Sequence, residues 1–181
     1  MAGDKNYLFI QFIGFAGTLL FFLSFQFKEN KKLFRIQFLS YMCYTLHLLL
    51  LGALTGGISY VLNTFRSFCL GSQSSLLKSR YMCAAICFLQ MLAMVFTWHS
   101  WLSILPVAAN IASTIAGYTD SPKKIRIAGM FLNSPLWIIY DIMVGSWAGI
   151  LDEIVSEASM ILSILRYGWK NLDNKGDKIK T

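Results

Sequence analysis

The spacing of charge along the chain is the strongest constraint on its fold. Charged residues make up only 14% of the 181-residue sequence and apolar residues 56%, and the charges fall in short runs between long apolar segments. A helix needs about 20 residues to cross a hydrocarbon core of roughly 30 Å, which is close to the length of these segments. The sequence therefore predicts an all-α, polytopic membrane protein rather than a soluble domain.

Seven apolar segments predict seven transmembrane helices, separated by polar loops or glycine turns. The expected ranges are 7–26, 34–51, 58–71, 81–98, 101–118, 127–144 and 150–167. The first segment is too long for the core of a signal peptide, and no small-residue cleavage site follows it. We therefore expect it to remain as a helix.

Lys and Arg residues predict the orientation of the chain. They collect in the loops before the second, fourth and sixth helices, in the tail and at the helix ends next to these, and of 16 such residues only Lys5 and Arg66 lie elsewhere. Because cytoplasmic loops are enriched in Lys and Arg, we expect the N-terminus outside and the C-terminus in the cytoplasm. The same rule explains the net charge of +7 without a nucleic-acid partner, and none is expected.

One stretch of the chain occurs twice, which predicts an internal repeat. A shift of 93 residues superposes Lys31 on Lys124, Leu39 on Leu132, Gly52 on Gly145 and Gly56 on Gly149. Helices 1–3 and 5–7 then form two halves, and helix 4 between them lets both halves point the same way. We expect a 3-1-3 arrangement of two parallel triple-helix bundles. The paired glycines are expected to form tight turns, although their spacing also suits a dimerisation face.

Four units follow from this arrangement. We expect a first bundle at 1–72, a linker helix at 73–99, a second bundle at 100–167 and a basic cytoplasmic tail at 168–181. The tail contains Lys170, Lys175, Lys178 and Lys180, and its polar composition predicts a mobile segment.

The helix pattern, with Pro106 in helix 5 and Pro135 in helix 6, resembles the PQ-loop and SWEET superfamily of small transporters. The chain departs from that superfamily in having no Pro-Gln dipeptide and no proline in helix 1. Closer similarity is to the YgjV family of bacterial inner-membrane proteins, in segments such as Ile13-Gly14-Phe15, His47 to Gly52, Pro135 to Tyr140 and Leu165-Arg166-Tyr167. The resemblance implies a multi-pass protein of the bacterial inner membrane and, through the superfamily, a transporter.

Polar residues inside the apolar segments are the candidates for a binding site, because a charge in hydrocarbon is costly and usually faces the bundle interior. The SWEET resemblance implies that Asn63 on the third helix lines the site, and Ser156 is its counterpart in the second half. Arg66 and Glu157, near the centres of helices 3 and 7, are expected to form an ion pair. That pair would either respond to substrate or only lock the halves together. The full expected substrate-binding set is Asn63, Arg66, Asn133, Trp137, Ser156 and Glu157.

Two further groups of residues carry expected roles. Asp141, Asp152 and Glu153 lie near the outer ends of helices 6 and 7, where they would form an acidic outer mouth or simply lie among the lipid headgroups. Pro106 and Pro135 are expected hinges, because proline removes a backbone hydrogen bond and bends a helix.

His47 is expected to be packed and hydrogen-bonded; the alternative is that it relays protons.

The sequence favours a transporter over an enzyme. It contains no nucleophile–base pair, phosphate-binding loop or paired-histidine metal signature, so we expect no catalytic residue, cofactor or metal. The leading hypothesis is a small transporter or facilitator for a small polar or zwitterionic metabolite, bound between the two bundles. The expected partners are the lipid bilayer and that solute, and a homo-oligomer is compatible with the sequence. The alternatives are a non-transporting receptor or assembly factor that docks through the tail, or a lipid-handling protein.

Overall fold

The structure is a computed structural model that describes residues 2–173, with side chains from residue 6 onward. The described part of the chain is helical throughout, as expected. The helices are α1 (Ala2–Phe25), α2 (Asn30–Leu50), α3 (Leu54–Gly71), α4 (Arg80–Phe96), α5 (Ile104–Tyr118), α6 (Pro122–Ala128), α7 (Ser134–Val144) and α8 (Trp147–Tyr167). A π-helical segment at Gly129–Asn133 joins α6 to α7, and short 3-10 turns lie at Trp101–Ser103 and Trp169–Asn171.

The sixth helical run begins several residues before the expected boundary. Ser121 caps it, because its hydroxyl accepts a hydrogen bond from the Lys124 backbone N–H at 3.3 Å, and Pro122 follows at the first helical position. Serine at the cap and proline at the next residue are strong signals for a helix start. Arg126 therefore lies inside a helix and is fully buried, where it donates to the hydroxyl of Ser163 at 2.7 Å.

Four stretches of the described residues are long and apolar enough to cross a membrane: Asn6–Phe25, Asn30–Leu50, Trp101–Tyr118 and Pro122–Val144. α4 is a shorter apolar helix. α3 and α8 are not among these four stretches; α3 carries Asn63 and Arg66, and α8 carries three carboxylates. Those polar residues point inward, whereas leucine and phenylalanine side chains cover much of the outer surface. This distribution is that of a polytopic membrane protein.

The helices pack as a closed ring. α1 packs on α2 and α8, α2 on α3, α3 on α5, α5 on α7, and α7 on α8. α4 packs on α3 and α5 and is not itself a member of the ring. The ring encloses a core of aromatic side chains, chiefly from α1, α2 and α7, and the polar residues of α3 and α8 lie against this core.

The paired glycines have two different roles. Gly52 and Gly145 follow α2 and α7 with φ of +76° and +71°, so the expectation of tight turns is confirmed for them. Gly56 and Gly149 instead allow close packing against α7. A Cβ on Gly56 would lie 2.7 Å from the Tyr140 ring, and one on Gly149 would collide with the Asp141 carboxyl group.

The start of the basic tail is packed, which corrects the expectation of a mobile segment for residues 168–173. Leu172 is 1% exposed. The Asp173 carboxylate accepts hydrogen bonds from the Ser121 hydroxyl at 2.8 Å and the Lys123 backbone N–H at 3.2 Å. A carboxylate at a helix N-terminus is favourable, so this segment is held on the first turn of α6. Lys175, Lys178 and Lys180 lie outside the described residues.

Two truncations distinguish the packed part of the tail from the rest. Removing residues 174–181 should leave the melting temperature in detergent within about 1 °C of the full chain, because no described contact is lost. Removing residues 171–181 should lower it by about 4 °C or more, since the burial of Leu172 and the cap from Asp173 are each worth about 1 kcal/mol or more. Equal melting temperatures for the two truncations would show that the contacts of Leu172 and Asp173 do not stabilise the protein.

Candidate functional site

A narrow cavity lies inside the ring of helices. Its volume is about 30 Å³, and its polar wall is formed by Gln37, Arg66, Asn133, Ser134 and Ser156. This volume holds about two water molecules. Phe25, Phe34 and Ile125 line the end of the cavity nearest the basic loops. Of the six expected substrate-binding residues, the cavity brings together Arg66, Asn133 and Ser156.

Arg66 is buried among neutral partners. Its side chain is 2% exposed and donates to the Tyr41 hydroxyl at 3.1 Å, the Thr114 hydroxyl at 3.4 Å and the backbone carbonyl of Asn110 at 3.5 Å. The Nε of the same guanidinium has no protein partner. Arg66 therefore has one free donor beside the cavity.

The expected ion pair between Arg66 and Glu157 is not formed. Glu157 is half-buried on α8 and interacts with the Ser134 hydroxyl, which also interacts with Glu153. Among the described residues, ion pairs join only Lys32 to Glu29 and Lys123 to Asp173. The physical reason is the rotation of α3, which turns Arg66 toward α5 and α2 rather than toward α8.

Asn63 extends the polar wall along α3 without lining the cavity itself. Its Nδ2 donates to Oδ1 of Asn110 on α5 at 2.7 Å, and Oδ1 of Asn63 and Nδ2 of Asn110 have no protein partner. Asn110 was not among the expected site residues. The signal that marks it is an amide in an apolar span, one turn beyond Pro106.

The three acidic residues near the ends of α7 and α8 that lie away from the basic loops do not form an open mouth. Asp141, Asp152 and Glu153 are only 3%, 2% and 2% exposed. Tyr44 interacts with Asp152, and Ser146 interacts with Asp141, so both carboxyls face the ring interior. Gly149 makes this packing possible, because any side chain there would occupy the place of the Asp141 carboxyl. The described residues contain no group of three or more His, Cys, Asp or Glu that could hold a metal ion.

A column of aromatic rings separates the cavity from a second, larger space. Tyr140 and Trp137 are 5.5 Å apart between ring centroids, Trp137 and Tyr60 are 4.7 Å apart, and Tyr60 and Tyr41 are 5.4 Å apart. Tyr41 lines the cavity, whereas Tyr140 lines a pocket of about 400 Å³ beside the α2–α3 turn. Trp137 is 1% exposed in the middle of the column, so it lies between the two spaces and does not line the cavity.

A family model described as a bacterial inner membrane protein matches residues 8–171 of this helical, polar-cored chain. The chain belongs to the YgjV family. The match runs from the first turns of α1 to the 3-10 turn after α8, so it includes the whole cavity and the aromatic column. No curated protein and no solved structure matches the chain significantly.

Pro135 of this YgjV-family protein interrupts the regular helix, as expected. Proline has no N–H, and its ring crowds the carbonyl of Phe131 four residues earlier. The hydrogen-bond pattern is wider there, in the π segment Gly129–Asn133. That widening puts Asn133 at the cavity, where its Oδ1 accepts from the Ser113 hydroxyl at 2.8 Å.

Pro106 lies near the start of its helix. It is the third residue of α5, which follows directly on the 3-10 turn Trp101–Ser103, and a missing N–H costs little in the first turn of a helix. The expectation that Pro106 acts as a hinge stays a prediction.

His47 is packed and hydrogen-bonded. Its ring is fully buried, with Nδ1 2.9 Å from the Ile10 carbonyl and Nε2 2.9 Å from the Ser146 hydroxyl. A carbonyl only accepts, so Nδ1 carries the hydrogen, and a neutral ring accepts from Ser146 at Nε2. Ser146 also caps α8 by accepting from the Gly149 backbone N–H at 3.0 Å. His47 thus ties α2 to α1 and to the start of α8.

Replacing Ser146 by alanine should destabilise the YgjV-family fold by about 2–4 kcal/mol, because both the helix cap and the partner of buried His47 are lost. Ser79→Ala is the matched control. Ser79 caps α4 by accepting from the Met82 backbone N–H at 3.3 Å, and the cap alone should be worth about 1 kcal/mol. Unfolding titrations in mixed detergent measure both variants. Equal losses would show that the His47 contact adds nothing.

Proposed function

We propose that this YgjV-family protein is a small secondary transporter or facilitator, not an enzyme, and that it binds a small polar solute in the cavity beside Arg66. The observation that carries the proposal is a buried guanidinium with only neutral partners, next to a cavity whose polar wall retains unpaired atoms. A charge at the centre of a bilayer costs about 2.5–3.5 kcal/mol on insertion scales. Helix packing alone does not require such a residue, whereas recognition of a charged or polar solute does.

The packing of the ring supports an arrangement of two parallel bundles, related to the PQ-loop and SWEET superfamily. The 93-residue repeat relates α2 to the α6–α7 run and α3 to α8, and it leaves α1 to correspond to α5. The most extensive helix packing between the halves is that of α1 on α8 and of α3 on α5. If α1 is exchanged with α5 and α3 with α8, the α1–α8 contact becomes the α5–α3 contact. This is the relation expected of two halves that are related by an axis along the membrane normal.

The unpaired atoms indicate the class of solute. Arg66 Nε suits an anionic oxygen, and the free amide atoms of Asn63 and Asn110 offer an acceptor and a donor. Glu157, on the other side of Ser134, suits an ammonium group. A small zwitterionic metabolite satisfies all of these groups. The closed cavity is too small for it, so the helices must separate, and the π segment before Pro135 is the weakest point of the ring wall.

Uptake measurements test the site. A thermal-shift screen of amino acids, short carboxylates and sugars selects a solute that stabilises the purified protein, and its flux is then measured in proteoliposomes. We expect Arg66→Gln to reduce the flux at least about tenfold, which corresponds to the loss of one charge-assisted hydrogen bond of about 1.4 kcal/mol. Glu157→Gln should also change the flux or its pH dependence.

Arg80→Gln is the control for the loss of a positive charge, since Arg80 is exposed at the first residue of α4. A solute that is transported equally by the wild type, Arg66→Gln and Glu157→Gln would show that the site is assigned wrongly.

We also propose that the N-terminus lies outside and the basic loops lie in the cytoplasm. In a variant without the native cysteines, a cysteine at His99 should react with a membrane-impermeant maleimide in intact cells. A cysteine at Ser75, in the basic loop before α4, should react only after the membrane is opened. Both positions are exposed. The reverse labelling pattern would invert the proposed orientation.

A further inference from the structure

A groove runs along the outside of the ring between α2 and α3. Its volume is about 420 Å³, and its walls include Phe38, Met42 and Leu46 from α2 and Val61, Phe65 and Phe68 from α3. Two threonines also line it, and their hydroxyls bond backbone carbonyls of their own helices at 2.8 Å. The groove therefore presents only an apolar surface to the bilayer.

A polar pocket continues this groove toward the basic loops. The pocket has a volume of about 210 Å³ and is lined by Arg35, Ser67, Gly71 and Ser72. Phe38 and Phe68 line both spaces, so the groove and the pocket form one continuous channel on the protein surface. Arg35 is thus placed at the polar end of an apolar path, one turn beyond Phe38.

Two observations point to an anionic ligand in the pocket. Among the described residues, no carboxylate lies within ion-pair distance of Arg35. Ser67 is fully buried, and its hydroxyl has no hydrogen-bond partner although it lines the pocket. A buried hydroxyl without a partner is costly and calls for an external acceptor or donor.

Gly71 helps to shape this pocket. A Cβ there would lie 3.2 Å from Cγ of Arg35, so glycine leaves room for the arginine stem against the end of α3. The C-terminal carbonyls of α3 carry partial negative charge and would by themselves repel an anion. The positive charge of Arg35 is therefore decisive for what the pocket accepts.

We propose that the groove and pocket bind one anionic phospholipid, with its phosphate and headgroup at Arg35 and Ser67 and an acyl chain along the apolar groove. The polar pocket lies at the end of the helices and the apolar groove lies toward their middle. A phospholipid places its headgroup and its acyl chains in the same order, from the bilayer surface toward the bilayer centre. A basic residue at this level attracts anionic headgroups. The proposal concerns the outer face of the ring and is independent of solute transport.

Native mass spectrometry of the full chain tests the proposal. The protein is released from detergent after incubation with phosphatidylglycerol, phosphatidylethanolamine or phosphatidylcholine of identical acyl chains. We expect a single phosphatidylglycerol adduct to persist at collision energies that remove the other two lipids. Arg35→Gln should reduce its retention about fivefold, whereas Arg80→Gln, the change of an exposed arginine on α4, should leave it unchanged.

Val61→Trp tests the apolar part, because the indole ring fills the groove at a position that faces lipid and should not unfold the protein. It should remove the phosphatidylglycerol adduct without lowering the melting temperature. Equal retention of all three lipids, or equal losses from Arg35→Gln and Arg80→Gln, would overturn the proposal. A dimer that Val61→Trp dissociates would also overturn it, since the groove would then be an interface between two copies.

Discussion

The absence of water in the bilayer core is the constraint on which this structure depends. A polar side chain on a membrane-crossing helix finds no partner in the lipid, so it must be satisfied inside the ring. α3 and α8 each carry more of these buried polar groups than any other helix of the described residues. Their partners lie on neighbouring helices: Arg66 donates to Tyr41 on α2 and to Thr114 on α5. Because those partners are neutral, the ring encloses a positive charge beside a cavity.

The two proposed halves differ in chemistry. A shift of 93 residues pairs Arg66 with Ser159, and each bonds to a helix of the other half: Arg66 to the carbonyl of Asn110 on α5, and Ser159 to the carbonyl of Phe22 on α1 at 2.9 Å. One of these contacts is made by a guanidinium and the other by a hydroxyl. Likewise, Asp141, Asp152 and Glu153 all belong to the second proposed half. This asymmetry places a guanidinium in one wall of the interior and carboxyl groups at one end.

The sequence predicted the helices, the turn glycines and the interruption of the regular helix before Pro135, because each depends on a local pattern of hydrophobicity or backbone conformation. It did not predict the partners of the buried charges. Spacing places Arg66 and Glu157 at the same depth, but the rotation of α3 decides which one faces the other. The acceptors of Arg66, such as the Tyr41 hydroxyl, are neutral, so no pattern of opposite charges in the sequence identifies them. The packing of Leu172 was missed because a single apolar residue in a basic tail does not produce a periodic hydrophobic pattern in the sequence.

In the proposed mechanism, the cavity beside Arg66 opens toward the side that carries the basic loops and is closed toward the other side by the aromatic column. Thiol labelling of Ser156→Cys, a cavity residue, in a variant without the native cysteines tests it most directly. We predict that a small charged reagent modifies this cysteine from the basic side only, and from both sides once Trp137→Ala shortens the column. No labelling from either side in either variant, or equal labelling from both sides with Trp137 intact, would contradict the account.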